Sequence, residues 1–182
     1  MQENPGEMVS IVTNRLARGR VYGLDTDMEL DRLDKKILTL LQQDACLTNS
    51  ELAERVGLSP SPCWRRVKRL QEAGVIRSRV TLLDPGAVGL HVLAYALVSL
   101  EHHNQETLHA FSEFVEQTPQ ILECCSMSGS YDYLLKVVSR SMDDYELLLS
   151  GQLLKLEGIR SVNTSFVLSR QKGTTALPLD GI

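Results

Sequence analysis

The chain has 182 residues, of which 43% are hydrophobic, and its formal net charge is −4. A chain of this size can bury one sizeable core or two small ones, and its weak acidity argues against a protein that coats nucleic acid along its whole length. No apolar run reaches the roughly 20 residues of a membrane span, and the first residues lack the basic and apolar segments of a secretory signal. We therefore expect a cytoplasmic protein without a membrane partner.

Positive charge is concentrated in one block of the chain. Residues 31–80 hold 10 Lys and Arg against 6 Asp and Glu, a net charge of +4, whereas residues 91–182 hold 6 against 11, a net charge of −5. A basic block inside an acidic chain favours a polyanionic partner for that block alone.

The four cysteines show no CxxC spacing, and Cys124 and Cys125 are adjacent, as are His102 and His103. Neighbouring residues in a strand face opposite sides, so each pair would supply one metal ligand rather than two. We predict no disulfide framework, no metal site and no cofactor. A reactive thiol at Cys124 or Cys125 stays open, although no basic residue stands beside them in the sequence to lower a thiol pKa.

The chain begins with a segment that has no sustained period. Residues 1–29 carry proline, glycine and scattered charges, and we interpret them as a flexible N-terminal extension. Asp31–Gln43 then places its apolar residues at helical spacing, which predicts the first helix.

Two short helices are predicted next. Thr48 and Glu51 have the spacing of a capping box, and Gly57 supplies the left-handed residue that ends the helix. Ser61 and Pro62 then suit the N-cap and the first position of a second helix that runs to Ala73.

This second helix combines an apolar face with a cationic one. The inward residues, spaced four and three apart, are Cys63, Val67 and Leu70. The outward cations are Arg65, Lys68 and Arg69, with Trp64 and Arg66 on the flanks. Two short helices with a small-residue break and an outward cationic face suit a reader of the DNA major groove; the alternative is a solvated basic face on an ordinary helical hairpin.

The basic block ends in an alternating segment and a turn. Val75–Leu83 alternates well enough to form a wing strand or hairpin, so residues 30–83 are predicted to form a winged helix-turn-helix domain. Asp84-Pro85-Gly86 is a strong turn signal, which places a linker at residues 84–90.

Residues 91–172 are predicted to form a second domain. Its predicted strands are His91–Glu101, Ile121–Ser128, Tyr131–Val138 and Ile159–Leu168, and its predicted helices are Gln105–Gln117 and Met142–Leu154. This order is that of a ferredoxin-like βαββαβ sandwich, so the fold class of the chain is α+β. Helices cover only one side of such a sheet, so we expect the other apolar face to bind a second copy. Residues 173–182 form a C-terminal tail.

The segment ELAERVGLSPSPCWRRVKRLQEAGVI resembles the helix-turn-helix of the leucine-responsive regulator (Lrp)/AsnC family of bacterial transcription factors, and GSYDYLLKV resembles that family's effector domain. Together the resemblance covers residues 31–172. It implies that Asn49–Lys68 binds double-stranded DNA and that Pro62–Ala73 is the recognition helix. The candidate DNA-binding residues are Asn49, Ser59, Ser61, Trp64, Arg65, Arg66, Lys68 and Arg69.

The same resemblance implies an amino-acid effector and a homodimer that assembles further, to an octamer. In the family, the hairpin at GSYD lies at the contact between dimers and helps to form the effector pocket. The candidate effector-binding residues are Gly129, Ser130, Tyr131, Asp132, Thr164 and Ser165. Without the resemblance, the residues alone favour an ordinary hairpin whose aspartate satisfies turn amides.

The resemblance therefore implies a sequence-specific transcriptional regulator that is not an enzyme. Two alternatives share the pattern: an effector-independent DNA-organising protein, which would ignore amino acids, and an enzyme similar to the sirohaem decarboxylases, which would bind a tetrapyrrole. The cluster Arg65–Arg69 argues against the enzyme, and Gly129–Asp132 argues for a ligand.

Overall fold

The structure, a computed structural model, describes residues 28–180, so the prediction of a flexible extension falls outside the described residues except at Met28 and Glu29. The chain forms two compact units. The first ends at Val80 and takes up the chain again at Thr175, and the second is Thr81–Thr174. No helix in residues 28–180 has the length and apolar character needed to cross a membrane.

The first unit contains three helices, α1 (Arg32–Gln43), α2 (Asn49–Val56) and α3 (Pro60–Glu72). The capping box predicted for α2 is confirmed, because the Thr48 side chain accepts from the Glu51 amide and the Glu51 carboxylate accepts from the Thr48 amide. The predicted end is confirmed as well, since Gly57 has a φ of 84°.

Helix α3 begins two residues before the predicted start, so the assignment of Ser61 as N-cap and Pro62 as first residue is wrong. Ser59 is the N-cap, with extended backbone, and Pro60 is the first helical residue. Both Ser-Pro pairs suit a helix start, and Pro62 still falls in the first turn, where an amide has no intrahelical partner to lose.

The core of the first unit lies between the three helices. Its most deeply buried members, each at most 2% exposed, are Ile37, Leu52, Ala53, Cys63 and Leu70. The inward face predicted for α3 is confirmed, because Cys63, Val67 and Leu70 are all buried.

The C-terminal segment is part of this first unit. Leu179 packs against the helical core, as does Met28 at the other end of the described chain. Gln42 on α1 accepts from the Leu177 amide at 2.6 Å and donates to the Leu177 carbonyl oxygen at 3.2 Å. Sequence reasoning treated residues 173–182 only as a tail and missed this attachment.

The wing strand or hairpin predicted for Val75–Leu83 is wrong, because the structure assigns no strand to these residues. Val80, Leu82 and Leu83 are 59–69% exposed. A strand needs a neighbouring strand for its backbone hydrogen bonds, and the described part of the first unit offers only helices.

The second unit has the predicted ferredoxin-like order, which is confirmed. Its strands are β1 (Val92–Leu100), β2 (Ile121–Ser126), β3 (Tyr133–Ser139) and β4 (Ile159–Phe166), and its helices are α4 (Gln105–Gln117) and α5 (Met142–Gly151). The strands form one antiparallel sheet in the order β2-β3-β1-β4. Helix α5 ends before the predicted Leu154, and a short 3₁₀ turn at Leu153–Lys155 follows it.

The two faces of this sheet differ in burial. Ala94, Ala96, Val98 and Leu100 of β1 belong to the core formed with the helices and are at most 2% exposed. The alternate residues of β1 and β3 lie on the other face, hereafter the outer sheet face, and its half-buried apolar members are Leu93, Tyr95, Leu97 and Leu134.

Candidate functional site

The exposed side of α3 carries polar, aromatic and cationic residues within one strip. We call this strip the outer face of α3 and define it as Ser61, Trp64, Arg65 and Lys68, all of which are exposed. Because residues three and four apart share one side of a helix, these four side chains project together, away from the core. The strip is therefore accessible to a large ligand such as a DNA duplex.

Trp64 and Lys68 contact each other within the outer face. The Lys68 ammonium lies 5.2 Å from the centre of the Trp64 ring, which is a cation–π distance, and 3.7 Å from the Glu72 carboxylate. Both contacts are at the surface and weak. Trp64 is 52% exposed, so its indole is available for apolar contacts beside a cation.

Arg66 and Arg69 do not belong to the outer face. Arg66 Nη1 lies 2.6 Å from Asp31 Oδ2 and 2.8 Å from Asp34 Oδ1, and Arg69 Nη2 contacts Asp34 Oδ2 at 2.5 Å. The prediction that Arg69 points outward is partly confirmed: its side chain is 52% exposed, while its guanidinium turns towards a carboxylate of α1.

Sequence reasoning missed Asp34, whose side chain is fully buried. Asp31 caps α1 and forms a capping box with Asp34, and Asp34 also lies three residues before Ile37 on the apolar side of the helix. A carboxylate at a core position needs partners of opposite charge. The position of Asp34 on the apolar side of the helix was therefore the sequence feature that could have predicted its ion pairs.

The ion pairs of Arg66 also shift the pKa values of Asp31 and of Arg66 itself. The pKa of Asp31 lies below its usual value because the Asp34 amide and the Arg66 guanidinium donate to its carboxylate. The same carboxylates of Asp31 and Asp34 raise the pKa of Arg66.

Asn49 and Ser59 lie where α2 meets the start of α3. Asn49 Nδ2 donates to the Pro60 carbonyl oxygen at 2.8 Å, which ties the two helices of the motif together. Asn49 Oδ1 is buried and accepts no hydrogen bond within residues 28–180. The Ser59 side chain is exposed and makes no capping bond, so its hydroxyl remains available.

The loop between β2 and β3 is longer than predicted. The strands end at Ser126 and resume at Tyr133, so the tight turn predicted at Gly129-Ser130 is wrong, and six residues, Met127–Asp132, connect the strands. We call this connection the effector loop, after the role that the resemblance predicts for its residues. The Met127 amide donates to the Asp132 carbonyl oxygen, while the Asp132 amide donates to Val98 of β1 rather than to β2.

Both carboxylate oxygens of Asp132 have partners in the chain. Oδ2 accepts from the Leu100 amide at 2.7 Å, and Oδ1 lies 2.7 Å from His103 Nε2. The Leu100 amide and then the His103 ring hold the pKa of Asp132 below its usual value. Asp132 therefore fastens the effector loop to the end of β1, which sequence reasoning did not anticipate.

The structure places Thr164 and Ser165 on opposite faces of the sheet. The Thr164 hydroxyl lies 2.6 Å from the hydroxyl of buried Tyr145 on α5, so it faces the helices. Ser165 is exposed and pairs with Tyr95 on the outer sheet face. Gly129 and Ser130 are exposed in the effector loop, and Gly129 has a φ of 126°.

Cys124 and Cys125 point to opposite faces of the sheet, because they pair with Leu135 and Leu134 respectively. Desolvation raises the pKa of Cys124 to about 11, which disfavours the thiolate that a nucleophile requires. Within residues 28–180 no three His, Cys, Asp or Glu side chains converge as a metal site would require.

The lowered pKa of Asp132 predicts that the fold loses stability in acid. A carboxylate whose folded pKa lies below the usual 3.8 stabilises the fold fully above that pH, and the stabilisation is lost as the pH falls through the folded pKa. At about pH 6, we expect Asp132→Asn to lower the free energy of unfolding by about 1 kcal/mol, the difference between a charged and a neutral acceptor.

Urea titrations from about pH 6 to about pH 2.5 test this expectation, and the two proteins should converge at the acid end. Glu157→Gln, which removes an exposed carboxylate from the same unit, is the control and should show no such convergence. An equal difference at both ends of the range would contradict the role of the ionised carboxylate.

Comparison with known families matches both units. Residues 30–77 match the winged helix-turn-helix DNA-binding model, and residues 93–177 match the Lrp/AsnC ligand binding domain. The first match contains α1, α2 and α3 with the outer face of α3, and the second contains the effector loop and all of the sheet except Val92.

Curated relatives and solved structures agree with these matches. The transcriptional regulator AzlB of Bacillus subtilis is 42% identical over 83% of this chain and 96% of its own length. The DNA-binding transcriptional activator DecR of Escherichia coli is 38% identical over 83% of this chain and 99% of its own length. A transcriptional regulator of Neisseria meningitidis, solved in complex with L-Met, is 40% identical, has a TM-score of 0.80, and matches 84% of this chain and 98% of its own. The chain thus belongs to the Lrp/AsnC family of DNA-binding transcriptional regulators.

Proposed function

We propose that this protein is a cytoplasmic, sequence-specific regulator of transcription that places the outer face of α3 in the major groove of double-stranded DNA. The observation that carries the proposal is the exposed strip Ser61, Trp64, Arg65 and Lys68 on the second helix of a helix-turn-helix. Hydroxyl, arginine and lysine side chains supply donors for phosphates and base edges, and the indole supplies an apolar contact. The names of the relatives support a regulator rather than an enzyme.

We propose that an amino acid is the effector and that it binds at the effector loop. The L-Met complex of the Neisseria regulator supports an amino acid, as do relatives named leucine-responsive regulatory proteins. The proposed contacts are Gly129, Ser130, Tyr131 and Asp132, with Ser165 and Thr164 from β4. Among residues 28–180, each oxygen of Asp132 has one hydrogen-bond partner, which leaves a second lone pair for an ammonium donor.

The proposed assembly is a homodimer through the outer sheet face, which associates further to an octamer. Leu93, Tyr95, Leu97 and Leu134 give this face an apolar centre, and a single helix-turn-helix makes too few base contacts to select one site. We expect Leu97→Asp to give a monomer at about 10 μM, because a buried unpaired charge opposes association. Light scattering measures the mass, and Leu122→Asp, on the exposed edge strand β2, is the control that should remain associated.

A thermal-shift screen of the full chain against the common amino acids tests the proposed effector. An amino acid that binds only the folded protein stabilises it by mass action and so raises its melting temperature. At a concentration of 100 times its Kd, the gain in the free energy of unfolding is about 2.7 kcal/mol. We expect one or a few amino acids to do so and to change the affinity for DNA in a titration. Absence of any shift, with DNA binding intact, would favour the effector-independent DNA-organising protein.

A further inference from the structure

The buried carboxylate of Asp34 accepts hydrogen bonds from three groups of the first unit. Its Oδ1 accepts from Arg66, and its Oδ2 accepts from Arg69 and from the Asp31 amide. The carboxylate is 0% exposed, so these donors replace the water that it loses on folding.

The two arginines bind the start of α1 from one side of α3. Arg66 and Arg69 are three residues apart and so neighbours on the helix surface, and Arg66 also contacts Asp31. A guanidinium is a planar group with donors in fixed directions, so these contacts depend on angle. The apolar contacts of Cys63, Val67 and Leu70 lack that dependence.

The charges of this group largely cancel. Arg66 and Arg69 face Asp31 and Asp34, and the Arg69 side chain stays 52% exposed beside Arg65 and Lys68, the cations of the outer face. A phosphate that approached Arg66 would meet a guanidinium only 27% exposed and already held by two carboxylates.

We propose that Arg66 is a positioning residue and does not contact DNA: together with Arg69 it holds Asp34 and so fixes the rotation of α3 about its axis, which sets the direction in which the outer face projects. The proposal rests on the proposed DNA-binding function. Rotation of a recognition helix changes which base edges its side chains reach, whereas phosphate attraction depends weakly on angle. Loss of the positioning group therefore lowers affinity for the preferred sequence more than affinity for other DNA.

The test measures binding of the full chain to two duplexes over a range of salt. One duplex is selected by the wild-type protein from a random-sequence library, and the other is bulk genomic DNA. Arg65→Gln is the matched variant, because it removes the same side chain one position away, on the outer face. For Arg65→Gln we expect the slope of log affinity against log salt to become shallower by about one per protomer on both duplexes.

For Arg66→Gln we expect a different result. Affinity for the selected duplex should fall about tenfold or more, the loss typical of one misplaced base contact, while the salt slope and the affinity for genomic DNA stay at the wild-type values. A slope that becomes shallower by about one, as for Arg65→Gln, overturns the proposal because it identifies a phosphate contact.

A double-variant cycle with Asp34→Asn separates positioning from general damage. For Asp34→Asn combined with Arg65→Gln, the factors by which each single variant lowers affinity for the selected duplex should multiply. Asp34→Asn combined with Arg66→Gln should bind this duplex no more weakly than the weaker of the two single variants, because both changes remove the same contact. Multiplying losses in the second pair overturn the proposal.

If Arg66→Gln does not fold, judged by its melting curve, Arg66→Lys replaces it. Lysine keeps the charge and loses the planar fork, so the selected duplex should again be bound about tenfold more weakly, with an unchanged slope. Wild-type binding by Arg66→Lys overturns the proposal. A wild-type chain that enriches no sequence from the library and does not bind genomic DNA overturns the proposed function itself, which distinguishes the two failures.

Discussion

Replacing Leu70 by Ala is expected to lower the free energy of unfolding of the first unit by about 2 to 5 kcal/mol. Leu70 lies on α3 at 0% exposure, in the core shared by all three helices. Truncation removes apolar contacts and leaves a cavity that the packed helices fill only in part. Because whole domains are stable by only about 5 to 15 kcal/mol, a large share of the first unit's stability would be lost.

The chain has a single tryptophan, Trp64, and it lies on α3. Its fluorescence in a urea titration therefore reports the unfolding of the first unit, while circular dichroism reports both units. We expect Leu70→Ala to shift the fluorescence midpoint and to leave a circular-dichroism transition for the second unit in place. Leu177→Ala makes the same truncation in the same unit at a side chain 71% exposed, and should change stability by less than about 0.5 kcal/mol. Equal midpoints for the two variants would contradict this account of the core.

Replacing Arg65 and Lys68 together by Ala is expected to have the largest effect on DNA binding. Both cations lie on the outer face of α3, and each lost phosphate contact should make the salt slope shallower by about one per protomer. A lost base contact costs about 1 to 3 kcal/mol, so affinity for a preferred duplex should fall by at least about tenfold. Melting curves should stay close to those of the wild type, because both side chains project from the surface.

The matched control removes one Arg and one Lys from the second unit. Arg140 and Lys155 are exposed there, and Arg140→Ala with Lys155→Ala changes the net charge by the same amount. Binding by this control should stay near the wild-type value. If both double variants weakened binding equally, net charge rather than the outer face of α3 would account for the affinity.

Local features of the fold could be predicted from the sequence because neighbouring residues determine them. The capping box of Thr48 and Glu51, the end of α2 at Gly57 and the bounds of α4 depend on residues within one or two turns. Burial of Cys63 and Leu70 followed from helical spacing alone. The ferredoxin-like order also followed, because its strands and helices alternate in a pattern that few topologies accommodate.

Polar contacts across the fold could not be predicted. Asp34 meets its arginines 32 and 35 residues away, and Asp132 meets the Leu100 amide 32 residues away. Only the packed helices and the paired strands bring these groups together. For the same reason the partners that Arg69 and Asp132 have within the chain were not visible from the sequence.

The attachment of Leu177 and Leu179 to the first unit has a mechanical consequence. The chain leaves that unit after Val80 and returns to it at Thr175, so the second unit is an insertion held at both of its ends. A force on the second unit reaches the DNA-binding helices by two routes, one through Val80 behind α3 and one through Leu177 onto Gln42 of α1. A single protease cut in the exposed stretch Thr81–Val88 would sever the backbone between the three helices and the second unit, and the two fragments would then be joined through the non-covalent contacts of Leu177 and Leu179.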